Sequence, residues 1–324
     1  MKNSKLKIVT LGAGTGHAKI LLGLKKYFSN INAVVNVTDN GGHSGILREQ
    51  LKIPQVGDGR QLLIALADNK KKAKEFSKRN ANGSNKGNLY LAKIAHRKDI
   101  AQAFKKAGAV LKCQGQVIPS TIDNIQVGAT LVNNKKIIGE WEVIKRHPRK
   151  KIKNIFLKPK AKGYPTSIRA IKKAEWIIIS PGSLFTGVLP IFLPSGIKKA
   201  FKESKARVIY ISNLMTMPGQ TDGFSFLDHI GEIKKYSGRY PDFVVLNDGE
   251  IPKKVLNYYK KIKSYPIDFK PKNSKNYKII KADLIPAKFS IKKRNRPGKV
   301  DKWTHWLTHD QKKLSKVLKQ IITN

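Results

Sequence analysis

The stretch "KIVTLGAGTGHAKILLGLKKY", residues 7–27, decides the reading of the fold. A short apolar run meets a turn with glycines at 12, 14 and 16, and an amphipathic segment follows. Strand, glycine turn and helix in that order open many nucleotide-binding α/β domains. The dinucleotide fingerprint G-x-G-x-x-G would place its third glycine at position 17, where His17 stands. The Gly-Lys-Ser/Thr ending of a P-loop is also missing, which argues against ATP hydrolysis of that type. What remains is a turn whose backbone N–H groups suit an anion at a helix start. A purely structural tight turn is the alternative.

Outward from this stretch, strand-like and helix-like segments alternate. "HAKILLGLKKYF" sets Ile20, Leu21, Leu24 and Phe28 on one helical face. "INAVVNVT" is a second strand, and "GRQLLIALAD" and "GNLYLAKIAHR" read as helices. Later, "EWIIIS", "ARVIYIS" and "DFVVLN" are strands, separated by the helices "SGIKKAFKES" and "SFLDHIGEIKKYSG". This rhythm predicts an α/β, Rossmann-like fold: a mostly parallel sheet with helices on both faces. Residues 123–144 instead alternate with period two around Asn133-Asn134, a β-hairpin signal, and "KIKNIFLKP" adds a strand. We expect one domain over 1–324, with a hairpin insertion at about 115–158 and a helical segment at about 300–324.

The chain has 324 residues and a formal charge of +44, with 54 Lys against 11 Arg. Lysines scattered in pairs over helix backs read as a solvated surface, whereas nucleic-acid readout favours arginine's planar fork. Residues 253–299 are the densest basic stretch. A basic nucleic-acid-binding protein is therefore the third-ranked function, with a specific nucleic-acid partner not expected. No apolar run reaches the roughly 18–20 residues of a membrane span. The polar "GAGTGHAK" follows the N-terminus too soon for a signal peptide. The lone Cys113 fits a reducing cytosol and reads as a small buried residue rather than a nucleophile. A cytoplasmic protein is expected. Self-association into a homo-oligomer is compatible with the sequence.

With only 21 acids in the chain, an Asp inside a glycine-rich turn is informative. Asp39, Asp58 and Asp222 sit in such turns. Ligands of open α/β sheets bind at the carboxyl ends of strands, so the loops there are the candidates. The first supplies Gly12, Gly14, Thr15 and Gly16. "TDNGGHSGILRE" supplies Asp39, Asn40, Gly42, Ser44, Gly45 and Arg48. Asp39 suits ribose hydroxyls or Mg²⁺, or forms only an Asx-turn. "VGDGRQLL" adds Asp58 and Arg60, with a helix cap as the alternative for Asp58. "SPGSLFTGVLP" reads as a turn before a helix, where Gly182 and Ser183 could meet an anion. "SNLMTMPGQTDGFSFLDH" offers Asn213, Thr216, Thr221 and Asp222 to a sugar or base, and Ser225 with Asp228 as a capping box. No H-E-x-x-H or G-x-S-x-G pattern occurs, and His305 with His309 lack a partner ligand.

These loops, with "GNLYLA" (containing Asn88) and "VIPSTIDN", occur in order from about residue 6 to 248, and "THDQKKL" follows near the end. Together they resemble the gluconeogenesis factor (YvcK-like) family, within the 2-phospho-L-lactate transferase (CofD-like) superfamily. The resemblance implies a bacterial cytoplasmic regulator that binds UDP-sugars such as UDP-N-acetylglucosamine. It also implies a link to cell shape, the cell wall and growth on gluconeogenic carbon. The transferase branch implies instead a metal-dependent transfer of a phospholactyl group from a nucleoside-diphosphate donor. No catalytic residue and no obligate cofactor follow from it; Mg²⁺ is the one candidate, on Asp39. The chain departs from the family pattern in carrying Asp39-Asn40 for two adjacent acids, His43 for a serine, Gly59 for an isoleucine and Ser84 for a histidine.

Overall fold

A computed structural model describes residues 5–81, 83–146, 149–267, 274–287 and 307–324. β1 (Ile8–Gly12) leads into α1 (Gly14–Leu24), then β2 (Ile31–Val35). Five helices follow: α2 (Gly42–Leu51), α3 (Gly57–Leu66), α4 (Lys70–Ser77), α5 (Lys86–Arg97) and α6 (Ile100–Val110). The middle of the chain holds β3 (Gln116–Pro119), β4 (Gln126–Leu131), β5 (Lys136–Ile138), α7 (Glu140–Lys145) and β6 (Ile152–Lys158). The α/β rhythm returns with α8 (Pro165–Lys173), β7 (Trp176–Ile179), α9 (Ile197–Glu203) and β8 (Arg207–Ile211). It ends with α10 (Phe226–Ser237), β9 (Phe243–Asn247), α11 (Lys253–Lys261), β10 (Lys278–Ala282) and α12 (Gln311–Thr323).

The main sheet has seven strands in the order β10-β9-β8-β7-β1-β2-β3, and every pair is parallel. Alternate residues of each central strand feed opposite cores. Ile8, Ile31, Ala33, Ile178 and Ile209 point to one face, which α1, α3, α5, α6 and α12 cover. Val9, Leu11, Val34, Ile177 and Tyr210 point to the other, covered by α9, α10 and the small sheet. Each such fully buried aliphatic side chain contributes about 1.5–3 kcal/mol. At the closing helix, Asp310 caps α12 by accepting from Lys312 N at 2.8 Å and Lys313 N at 2.9 Å. Gly23 lets α12 approach α1, for a Cβ there would lie 2.5 Å from the Ser315 Cβ.

The hairpin forms as read, with β4 antiparallel to β5 and to β6. Three details differ from the sequence reading. Gln116–Pro119 belongs to the main sheet beside β2, so the antiparallel extension starts at Gln126. "EWEVI" leaves the hairpin as α7 rather than continuing it. After β7 the chain makes a five-residue π-turn (Leu184–Val188) and a 3-10 turn (Leu189–Phe192) instead of an α-helix. Pro190 lacks an N–H, and its ring blocks an ordinary helical ladder there. Residues 300–306 of the expected C-terminal segment, His305 among them, and residues 268–273 and 288–299 of the basic stretch lie outside the described residues. No helix among the described residues is long and apolar enough to cross a membrane.

Candidate functional site

The strand order reverses between β1 and β7, because the chain winds from β1 toward β3 on one side and from β7 toward β10 on the other. Such a switch point leaves a crevice at the carboxyl edge of the sheet. The glycines of the opening stretch belong to this junction. A Cβ on Gly12 would lie 1.8 Å from Ser180 Oγ, and one on Gly16 2.5 Å from the Pro181 carbonyl. They are needed so that the β1 and β7 loops can touch. His17, in place of a third fingerprint glycine, is fully buried, with Nε2 2.6 Å from Thr10 Oγ1. Burial pulls its pKa down to about 4, so it is a neutral core residue beneath the loop.

Three carboxylates converge at the crevice: Asp39, Asp58 and Glu140. From the first turn of α3, the Asp58 side chain reaches the start of α1, where it accepts a hydrogen bond from the Gly14 backbone, and its Oδ1 is 3.8 Å from where a Gly14 Cβ would stand. Its own backbone N–H donates to Gln55 Oε1 at 2.9 Å, so Gln55 serves the α3 start that Asp58 was expected to cap. Withdrawal from bulk water and the nearby Asp39 push Asp58 up to about 7. Asp39 is raised by the same withdrawal and held back by the Gly41 N–H and the Arg48 charge. Its Oδ1 accepts from Gly41 N at 2.7 Å, so the Asx-turn exists and the carboxylate still faces the cluster. Glu140 is pushed well above the ordinary carboxylate range, first by desolvation and then by Asp39 and Asp58. Each of these shifts states that the three cannot all be ionised cheaply together.

A polar network anchors the third member. Thr186 Oγ1, on the π-turn, donates to Glu140 Oε1 at 2.9 Å and accepts from Gln220 Nε2 at 3.0 Å. Gln220 Oε1 accepts from Phe185 N at 3.0 Å, and Asn36 Nδ2 donates to the Thr186 carbonyl at 2.9 Å. Glu140 escaped the sequence reading, although an acid directly after a glycine in so acid-poor a chain was the available signal. Gln55 and Thr186 carried no such signal.

The other expected residues divide. Thr15 Oγ1 donates to Gln61 Oε1 at 3.3 Å at the exposed mouth. Ser183 Oγ donates to Met217 Sδ at 3.4 Å. Gly42 opens α2. Gly45 packs on the Asn40 carbonyl, 2.2 Å from where its Cβ would be. Asn40 binds α7, donating to Glu142 Oε2 at 2.8 Å and accepting from Trp141 N at 3.1 Å. Arg48 is buried and donates to the Ile125 carbonyl at 3.2 Å. Arg60 Nε donates to Asn88 Oδ1 at 2.8 Å, and Asn88 Nδ2 donates to Ser44 Oγ at 3.2 Å. Arg48 lies beside Asp39 and Arg60 beside Asp58, so each partly offsets a carboxylate of the cluster.

The β8 loop is engaged within the chain. Asn213 holds Gly182 in a reciprocal pair, 2.8 Å in each direction, so neither the amide nor the Gly182 N–H is open to an anion. Thr216 Oγ1 accepts from Tyr265 N at 2.9 Å, Thr221 Oγ1 from Met217 N at 2.7 Å, and Asp222 Oδ2 from Gly219 N at 2.7 Å. These side chains build the loop. Ser225 and Asp228 form the capping box of α10. Cys113 Sγ donates to the Leu63 carbonyl at 3.2 Å, and burial raises its thiol to about 12, which suits packing and not nucleophilic attack. His309 is buried and neutral, its pKa lowered to about 4.

Residues 8–285 match the family described as 2-phospho-L-lactate transferase CofD. A gluconeogenesis factor of Halalkalibacterium halodurans is 37% identical over 272 residues, spanning 81% of this chain and 84% of that protein. A gluconeogenesis factor of Listeria innocua serovar 6a is 35% identical over 264 residues, spanning 79% and 81%. A relative from Clostridium acetobutylicum is longer, and the aligned region spans 58% of it at 38% identity. A crystal structure of a Bacillus halodurans protein superposes with a TM-score of 0.86 at 33% identity, covering 98% of this chain and 100% of that one.

Proposed function

This chain belongs to the CofD family, and from that premise we propose that its carboxyl-edge crevice binds a UDP-sugar, in the manner of a cytoplasmic regulator of the gluconeogenesis factor type that links carbon metabolism to cell shape. One observation carries the reading: Asp39, Asp58 and Glu140 gather at the switch point, against the start of α1. A bare diphosphate would oppose whichever of these carboxylates are ionised. A diphosphate carrying Mg²⁺ would be drawn in, because the cation screens both partners.

The donor set fits a hard cation. Among the described residues, no three His, Cys, Asp or Glu side chains are placed to hold a metal by themselves. Mg²⁺ is commonly held by one or two carboxylates together with substrate phosphates. Asp39 and Asp58 would hold it with the ligand's diphosphate, and the ion would supply the positive charge the site lacks. Gly14 and Thr15 at the start of α1 would meet the outer phosphate. Arg48 and Arg60 would keep the empty crevice from becoming too negative.

The second reading, a metal-dependent phospholactyl transferase, draws on the same carboxylates and on the family description. Incubation with a nucleoside-diphosphate donor and a deazaflavin acceptor separates the two. Release of nucleoside monophosphate with product supports the transferase; saturable binding without turnover supports the regulator. Asp39→Asn and Asp58→Asn should each lower UDP-N-acetylglucosamine affinity in Mg²⁺ at least tenfold, about 1.4 kcal/mol. Unchanged affinity in both variants would remove the site assignment.

A further inference from the structure

The small antiparallel sheet ends in a tight interlock with the loop after β2. Asn40 sits at its centre. The Asn40 Oδ1 accepts from Trp141 N at 3.1 Å, and its Nδ2 donates to Glu142 Oε2 at 2.8 Å. These partners flank Glu140 on the C-terminal side. On the N-terminal side, Gly139 has φ +104, and a Cβ there would lie 1.9 Å from Glu142 Oε2 and 2.6 Å from Asn40 Nδ2. Gly41 completes the contact, since a Cβ on it would stand 1.9 Å from Trp141 Nε1. Lys145 Nζ lies 4.3 Å above the Trp141 ring and holds that side chain in place.

We propose that Asn40 is a positioning residue whose side-chain amide locks α7 onto the β2 loop and so keeps Glu140 in the crevice. The chemistry of the amide is what the geometry requires. One face must accept from a backbone N–H, and the other must donate to a carboxylate. A carboxylate at position 40 could satisfy Trp141 but would oppose Glu142 with no proton to offer. Glu140 would then lose its fixed entry, although its Thr186 bond would remain. The lock is a property of this chain whatever the crevice binds. Its consequence for affinity rests on the UDP-sugar reading.

The test is a pairwise swap. In Asn40→Asp the lock is broken. In Asn40→Asp with Glu142→Gln it is restored in reverse, because the amide introduced at position 142 donates to the new carboxylate. Glu142→Gln alone keeps an Asn40 donor and a neutral acceptor, and serves as the control. Asn40→Asp should lower the melting temperature by roughly 2 °C and weaken UDP-N-acetylglucosamine binding in Mg²⁺ about tenfold. The double variant should recover both. A direct effect of the added charge on ligand or cation would persist in the double variant, so recovery separates positioning from simple electrostatics. An Asn40→Asp protein with unchanged stability and affinity, or a double variant that recovers neither, overturns the proposal. If the unsubstituted protein binds no UDP-N-acetylglucosamine, the ligand reading fails, and the thermal cycle alone decides the lock.

Discussion

Asp58 stands at a helix start with its carboxylate turned toward other acids, and the free protein is less stable for it. Its pKa near 7 in the fold, against about 3.9 in an unfolded chain, means that the folded state holds a proton the unfolded state has lost. That contribution is present below about pH 4 and is lost as pH rises toward 7. Asp58→Asn should therefore stabilise the fold at pH 8, by on the order of 2 kcal/mol after allowing for its partial exposure, and leave its stability nearly unchanged at pH 4. Thermal denaturation at the two pH values checks this. Buried histidines act in the opposite direction. His17 and His309 stay neutral to about pH 4, so an unfolded chain takes up protons first as pH falls below 6.5. Each should cost on the order of 3 kcal/mol between pH 6.5 and 4. His17→Gln should flatten that part of the stability–pH curve, whatever it does to stability at pH 7.5. A curve with the same acid slope would show that His17 is protonated within the fold.

At the scale of elements, two contacts set the crevice: the β1 loop against the β7 loop, and α7 against the β2 loop. Gly16→Ala would drive a methyl to 2.5 Å from the Pro181 carbonyl, a backbone atom with little room to move. We expect a loss of about 1–3 kcal/mol, read by urea denaturation, with far-UV circular dichroism unchanged. The strands and most of the helices were legible, because period-two and period-3.6 patterns are local properties of the chain. "INAVVNVT" and "ARVIYIS" are buried on both faces, and their unbroken apolar runs say so. The π-turn after β7 was not legible. Its geometry depends on Pro190 and on packing against Gln220, far along the chain. Nor was α7, since "EWEVI" continues the alternation of the hairpin, and the contact of Trp141 N with Asn40 at the helix start comes from about 100 residues away in the chain. Asn213, Thr216 and Thr221 are polar residues in a glycine-rich loop. Sequence cannot distinguish a hydroxyl offered to a ligand from one that accepts a neighbouring backbone N–H.

Across the whole molecule, a chain of formal charge +44 keeps its crevice acidic. The contrast separates two kinds of partner. Lysines spread over the helix backs should bind polyanions weakly, through counterion release, and without regard to the crevice. RNA binding should therefore fall steeply between about 50 and 200 mM salt and be unaffected by Asp58→Asn; a filter-binding titration reads both. Salt-resistant RNA binding that Asp58→Asn alters would place nucleic acid in the crevice instead. The mostly parallel sheet follows from the alternation of elements; its strand order and switch point do not, and neither does the acidic character of the crevice. It needs Glu140, which the antiparallel extension brings across more than 80 residues of sequence from Asp58. On the proposed function, this crevice takes a nucleotide-sugar together with a divalent cation. Isothermal titration of UDP-N-acetylglucosamine into the protein, with Mg²⁺ and then with EDTA, tests it most directly. Saturable one-site binding in Mg²⁺ that EDTA abolishes is the expected result. Equal binding in both conditions, or none in either, would contradict it.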